Sequence, residues 1–361
     1  MKTGMFLTPI HRQGRSYGEM YKLIGDTIVE LDQLGYDEVY LGEHYTARPE
    51  PVSNPLQFYS SLLPRTRRIR FGTGVLNLPH HHPAQVAADA AMFDHMSGGR
   101  FILGVGTGGL PSDFELFGTM EAPRGEMMLE SLDMIRRIWS QDPPYEFDGK
   151  FWKFRVRDTV MADLDLGFMP RPFQKDPPIV VSSMMPNSGL AGLAGEHGWG
   201  YISANFVSPG VLRSHRLSYE AGCAKAGRTP DPEAWRVVRS ILVTDTDAIA
   251  EDYLANPDNN ITAYYRFLHT QMSRMGMLVL FKPDASMPDE QMTLAEAHRQ
   301  MVIAGSVDTV VQKLRALEQD IGSVGGLFLA YHDPADRPRL WSNSMRLFQE
   351  AVVPALRSGR P

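Results

Sequence analysis

The 361-residue sequence has a single cysteine, Cys223. That excludes an internal disulfide and a metal site built from cysteines alone, and it fits a reducing, cytoplasmic setting. No apolar run approaches the ~20 residues that a membrane helix needs, so no membrane partner is expected. The opening "MKTGMFLTPI" lacks the apolar core of a signal peptide and reads directly as a strand. Basic runs are also missing. With 36 basic and 42 acidic residues the net charge is −6, so nucleic acid is not an expected partner. What remains is ordinary globular composition, 43% hydrophobic and 22% charged, at a length that suits an α/β barrel with insertions.

Short β-rich runs alternate with helical patterns. The strand runs are "TGMFLT" (Thr3 to Thr8), "DEVYLGEH", "RIRFGTGVLNL" (Arg68 to Leu78), "RFILGVG", "PPIVVSS", "GYISAN", "WRVVRSILVT" and "GGLFLAY". Helices are predicted over Tyr17 to Gly35, "NPLQFYSSLLPRT", Pro83 to Met96, Arg124 to Trp139, Gly189 to His197, Pro209 to Ala226, "SVDTVVQKLRALEQDIG" and Trp341 to Leu356. "YEFDGKFWKF" carries Asp148-Gly149 between aromatic runs, a hairpin signal. Leu254 to Gln300 reads as an irregular stretch rich in Met, Pro and Asn. Strands separated by helices require crossovers and so a parallel sheet. Eight such units favour a closed (β/α)8 TIM barrel, one domain over residues 1–361, over a doubly wound sheet with a second domain. Residues 254–300 are then an insertion after strand seven, a lid over the strand ends.

In a barrel the carboxyl ends of the strands form the active face. Glu43 and His44 end strand two, where a buried carboxylate needs a partner. General acid/base chemistry, ligand binding and a satisfied core pair all fit that pair. "GVGTGG" at Gly104 to Gly109 spells a dinucleotide fingerprint, but it belongs to strand four, "LPSDFELFG" with Pro111 follows, and the helix is expected to begin only near Arg124. That argues against a nicotinamide site. "PHHHP" at Pro79 to Pro83 has a metal-like His-x-His pair but few later ligands. Helix entry at His82-Pro83 is the simpler role, and no metal is assigned. Asn187 and Ser188 read as helix caps. The N–H groups beyond them suit an anion such as phosphate.

Taken together, "GYDEVYLGEHY", "RIRFGTGVLNLPHHHPAQVAADAAMFDHMSGGRFILGVGTGG", "DFELFG", "MPNSGLAG" and "SMRLFQEAVVPAL" resemble the bacterial luciferase-like flavin monooxygenases, from Met5 to Leu356. "LPHHHP", "GGLPSD" and "MLESLDMIRRIW" resemble the limonene and diketocamphane monooxygenase branch. The resemblance implies reduced FMN supplied by a separate flavin reductase, O2, a flavin C4a-peroxide, and a small apolar terpenoid or cyclic ketone oxygenated by Baeyer–Villiger reaction, hydroxylation or epoxidation. A homodimer is implied as well. The family's active-site histidine maps onto His44, its non-proline cis peptide onto Gly74-Val75, and its phosphate loop onto Asn187, Ser188 and Gly189. Gly106 and Thr107 stand where luciferases carry a reactive cysteine and an arginine. Light emission is therefore not expected, and the phosphate needs another cation or backbone N–H groups alone. A deazaflavin-dependent dehydrogenase, a non-catalytic flavin binder and a metal hydrolase are the rival readings. Glu43 either orients His44 or pairs with a cation elsewhere.

Overall fold

The computed structural model describes residues 1–358. Eight strands form the central sheet: β1 (Lys2–Leu7), β2 (Glu38–Leu41), β3 (Arg70–Thr73), β4 (Phe101–Gly106), β5 (Ile179–Ser183), β6 (Gly200–Ser203), β7 (Trp235–Val243) and β8 (Gly326–Ala330). Each pairs in parallel with the next, and β8 closes on β1 through the register Lys2↔Gly326 to Phe6↔Ala330. Closure decides for the (β/α)8 barrel and against the open doubly wound sheet.

Its helices are α1 (Tyr17–Leu34), α2 (Pro55–Ser60), α3 (Pro83–Ser97), α4 (Pro111–Leu116), α5 (Arg124–Ser140), α6 (Gly189–His197), α7 (Pro209–Lys225), α8 (Asp247–Ala255), α9 (Asn260–Arg274), α10 (Leu294–Met301), α11 (Val307–Ile321), α12 (Pro338–Leu347) and α13 (Val353–Ser358). Local chemistry sets their ends. Ser16 and Glu19 form a reciprocal capping box at α1, and Gly35 ends that helix at φ 83°.

Phe6, Tyr40, Ile102, Val180, Ile202, Val238, Phe328 and Ala330 pack together as one buried cluster, contributed by alternating positions of the strands. Small residues opposite large ones make room. A Cβ at Gly72 would overlap the Tyr40 ring, and one at Gly4 would overlap Phe328. At the amino end of the strands Arg236 grips Glu38 in two hydrogen bonds, Nε to Oε2 at 2.7 Å and Nη2 to Oε1 at 3.0 Å, both residues buried.

Three expectations change. Strand three is not continuous from Arg68 to Leu78: it stops at Thr73, and a separate pair of residues, Leu76–Asn77, joins β4. The interruption holds the cis Gly74-Val75 peptide. A helix does intervene before Arg124, namely α4. The stretch 254–300 is not irregular throughout, because α9 fills fifteen residues of it. Ile261, Tyr264, Tyr265, Leu268 and Met272 supply the buried stripe of α9 at helical spacing. Beyond α10, a short strand Val302–Gly305 extends the sheet along Ser240–Val243 of β7. The Tyr145–Val156 hairpin forms as expected. Among the described residues no helix is long and apolar enough to cross a membrane.

Candidate active site

The carboxyl ends of β1 to β6 open into one cavity of about 580 Å³, the size of a small-molecule site. His44, Gly74, Val75, Gly106, Thr107, Asn187, Ser188 and Gly189 all line it. Residues far apart in sequence meet there because parallel strands deliver all their carboxyl ends to one face. Val75, Leu110, Met184, Leu190, Leu193 and Phe206 supply apolar wall, and α9 covers it with Phe267, Leu268 and Met272. Hydroxyls pin α9 to the barrel mouth: Tyr264 Oη lies 2.9 Å from Thr8 Oγ1 and donates to Asn205 Oδ1 at 3.1 Å, while Tyr265 Oη lies 2.8 Å from Ser240 Oγ.

Glu43 and His44 point to different partners. Glu43 is buried and fully engaged. Its Oε2 accepts the Asn77 N–H at 2.9 Å, its Oε1 lies 2.9 Å from His81 Nε2, and Tyr45 Oη donates to it at 3.2 Å. It therefore clamps the loop after the cis peptide and does not orient His44. The adjacent histidines scatter. His80 stacks on Phe117 at 4.6 Å, and His82 caps α3 through the Ala84 N–H. The three histidines are aimed in three directions, and no group of three or more candidate metal ligands occurs among the described residues.

His44 lies between two carboxylates. Its Nδ1 is 3.3 Å from Asp113 Oδ2, and its Nε2 is 3.5 Å from Glu50 Oε2. Burial disfavours the imidazolium, but Glu50, Asp113 and Glu43 together outweigh it and raise the pKa. Asp113 is itself buried, which pushes it up. Hydrogen bonds from His44 and from the Thr46 hydroxyl and Tyr45 backbone dominate, holding it at about 2. Glu50 has no such donors, and burial pushes it up. Neither Asp113 nor Glu50 stands out in the sequence as a site residue. The signal for Asp113 is an acid in the first turn of α4, after the proline in "LPSDFELFG". Glu50 carries no local signal.

Elsewhere on the cavity wall, Ser188 caps α6 by accepting the Ala191 N–H at 3.3 Å, and Asn187 takes the left-handed conformation at φ 54°. No lysine or arginine lines the cavity among the described residues. The neighbouring Arg124 lies over the Phe114 ring and donates to the carbonyls of Thr119 and Met120. Backbone therefore has to supply any anion site. Gly109, Gly125 and Gly189 line the cavity with open space where a side chain would stand, and Gly125 and Gly189 belong to the first turns of α5 and α6. First-turn N–H groups have no partner within their own helix.

A closed parallel barrel, with an apolar cavity at the carboxyl ends of its strands and both a histidine held between two carboxylates and two helix N-termini on the cavity wall, defines a (β/α)8-barrel enzyme with a small-molecule site. Residues 1–323 match the model of the luciferase-like monooxygenase family, and the chain belongs to that family. It is 34% identical to 4-hydroxyprotoasukamycin monooxygenase of Streptomyces nodosus subsp. asukaensis, over 97% of this chain and 91% of that one. It is 27% identical to limonene 1,2-monooxygenase of Rhodococcus erythropolis, over 97% and 85%. Its fold superposes with a TM-score of 0.88 on the oxygenating constituent of 3,6-diketocamphane monooxygenase from Pseudomonas putida, a type II Baeyer-Villiger monooxygenase solved with FMN, at 28% identity and 98% coverage of both chains. The chain is accordingly an oxidoreductase of the flavin-dependent monooxygenase class, in the branch of the limonene and diketocamphane enzymes.

Proposed function

We propose that this chain is the oxygenase component of a two-component system, taking reduced FMN from a separate flavin reductase and using O2 to oxygenate a small apolar terpenoid or cyclic ketone. When bound, FMN supplies the activation of O2; the protein binds, orients, shields and moves a proton. Backbone N–H groups at the starts of α5 and α6 suit the phosphate, with Ser188 and Asn187 fixing the second of these turns. Gly106 makes room for the Val75 side chain, which fills the space a Cβ there would take and forms apolar wall for a flat ring beside β3 and β4. Methionine and phenylalanine walls select an apolar substrate and exclude water. The segment 254–300 serves as a lid, carried by α9. We place the protein in the cytoplasm as a homodimer on the family resemblance.

One observation carries the reading: His44, raised in basicity, faces an apolar cavity whose wall also offers helix-start N–H groups and, among the described residues, no cationic side chain. A proton donor beside a developing oxyanion is what oxygen transfer or ring-expanding oxidation needs. The test is oxygen uptake with chemically reduced FMN in the presence of a cyclic ketone or monoterpene panel, with product and hydrogen peroxide counted separately. Oxygenated product formed at the expense of peroxide supports the proposal. Tight binding of deazaflavin in place of FMN, with hydride transfer and no oxygen uptake, would replace it with the dehydrogenase reading.

A further inference from the structure

One carboxylate in the cavity lacks a hydrogen-bond partner. Glu50 sits on the loop after β2 with its side chain 13% exposed, and its Oε2 is buried with no hydrogen bond. Its surroundings contain no fixed cation. The groups that face it are His44, His11, Asp113 and Tyr264. His11 is committed through Nδ1 to Asp333 at 3.0 Å, and its buried Nε2 has no partner. Asp113 is committed on its other side to the Thr46 N–H at 2.9 Å and the Thr46 hydroxyl at 2.6 Å. Tyr264 is committed to Thr8 and Asn205.

A bare carboxylate in such a place costs several kcal/mol unless it meets a cation or takes up a proton. His44 is the group that can satisfy it. Its Nδ1 faces Asp113, which fixes the ring with Nδ1–H donated there. Nε2 is left toward Glu50, at 3.5 Å, just beyond an ordinary hydrogen bond. An uncharged Glu50 with neutral His44, and an ionised Glu50 with imidazolium, differ only by the place of one proton.

We propose that Glu50 and His44 Nε2 hold one proton in common, and that Glu50 is the residue that keeps His44 loaded for donation into the cavity. In the step, the shared proton moves from Glu50 onto Nε2 and from Nε2 to an oxyanion of the cavity ligand, leaving Glu50 as carboxylate and His44 neutral, with Asp113 still accepting Nδ1–H. One proton leaves the protein for the ligand, and solvent later restores it to Glu50. Glu50 is thus a positioning and proton-storing residue that acts through His44. The identity of the oxyanion rests on the proposed function; the proton pair does not.

The test begins with flavin-free full-length protein carrying ¹⁵N-labelled histidine, titrated by NMR. In Glu50→Gln the His44 midpoint moves to lower pH, because a carboxylate that favoured imidazolium is gone. In Glu50→Asp, which draws the carboxylate back by one methylene, it falls between the two. Infrared spectra of the wild type carry a protonated-carboxyl band that Glu50→Gln removes. With reduced FMN and O2, Glu50→Gln should bind flavin within about twofold of wild type and lose roughly tenfold in product rate on the alkaline side of the profile, with peroxide released instead. An unchanged or raised His44 midpoint in a folded Glu50→Gln protein overturns the proposal even if the enzyme proves to be an oxygenase. A lowered midpoint without flavin-dependent oxygen uptake would keep the proton pair and overturn the functional reading.

Discussion

Glu43 Oε2 accepts the backbone N–H of Asn77 at 2.9 Å, tying the end of β2 to the loop that leaves the cis Gly74-Val75 peptide. The Asn77 side chain returns the contact by donating Nδ2–H to the Glu43 carbonyl at 3.1 Å. The strand-end acid is therefore a clamp between two neighbouring strand ends, while the histidine beside it lines the cavity.

Removing the clamp should cost stability before it costs chemistry. Glu43→Ala leaves the buried Asn77 N–H and His81 Nε2 without their acceptor, a loss of about 1–3 kcal/mol. Urea denaturation should show the lower midpoint, and FMN titration should show weaker binding as the loop shifts. An unchanged midpoint would mean that the loop holds itself.

His44→Ala should fold and bind FMN nearly as well as wild type, since the phosphate is proposed to rest on backbone N–H groups that the imidazole does not hold in place. Coupled oxygenation should fall by about 10²-fold or more, with hydrogen peroxide made in its place. Undiminished product yield would remove His44 from the mechanism.

Ser188→Asp separates the phosphate site from the ring site. Aspartate is itself a good cap, so α6 should persist. Its charge beside the helix N-terminus opposes a phosphate, in a cavity with no cationic side chain to compensate. FMN affinity should drop by more than tenfold while riboflavin affinity changes little. Equal losses for both flavins would place the phosphate elsewhere.

The barrel was legible because each strand is a short apolar run and helix ends carry their own chemistry, such as the Ser16–Glu19 box and Gly35. His44 was legible by its position at a strand end. Its partners were not. Asp113 is 69 residues away in sequence and reaches His44 only because β2 and β4 end on the same face. Glu50 is a loop acid like any other until the loop is folded over the cavity. In α9 the stripe of Ile261, Tyr264, Tyr265, Leu268 and Met272 was present, but Pro257 before it and the methionine-rich residues after it hid a helix inside an apparently broken segment.

Acid stability should report the buried Glu38–Arg236 pair. Burial pushes the Glu38 carboxyl up, but Arg236 outweighs it and holds the pKa below the usual carboxylate value. A lowered folded-state pKa gives stability that is complete above the unfolded value of about 4.3 and is lost as pH falls through the folded one. Wild-type stability should therefore decline steeply below about pH 4. Glu38→Gln, which strands the guanidinium, should be about 3–5 kcal/mol less stable at neutral pH and should show a flatter acid limb. Parallel acid limbs in the two proteins would show that other carboxylates set the slope.

The covering segment divides into a fixed part and a freer one. Tyr264 and Tyr265 bolt α9 to β1, β6 and β7, so the helix itself should stay in place. Beyond Arg274 the chain has only two short 3-10 turns before α10, and the Lys282–Asp289 ion pair, at 2.5 Å, joins one part of that stretch to another. Met275 and Met277 from its beginning line the cavity. Opening for substrate entry should therefore hinge after Arg274 and involve the chain between Met275 and Pro288. Proteases should cut the free protein there and leave α9 intact, and FMN with substrate should slow the cutting. Trimming this stretch should change flavin affinity modestly while diverting turnover toward hydrogen peroxide, because water then reaches the cavity. If the trimmed enzyme couples oxygen to product as fully as the intact chain, the stretch is a packed surface insertion and the shielding comes from α9 alone.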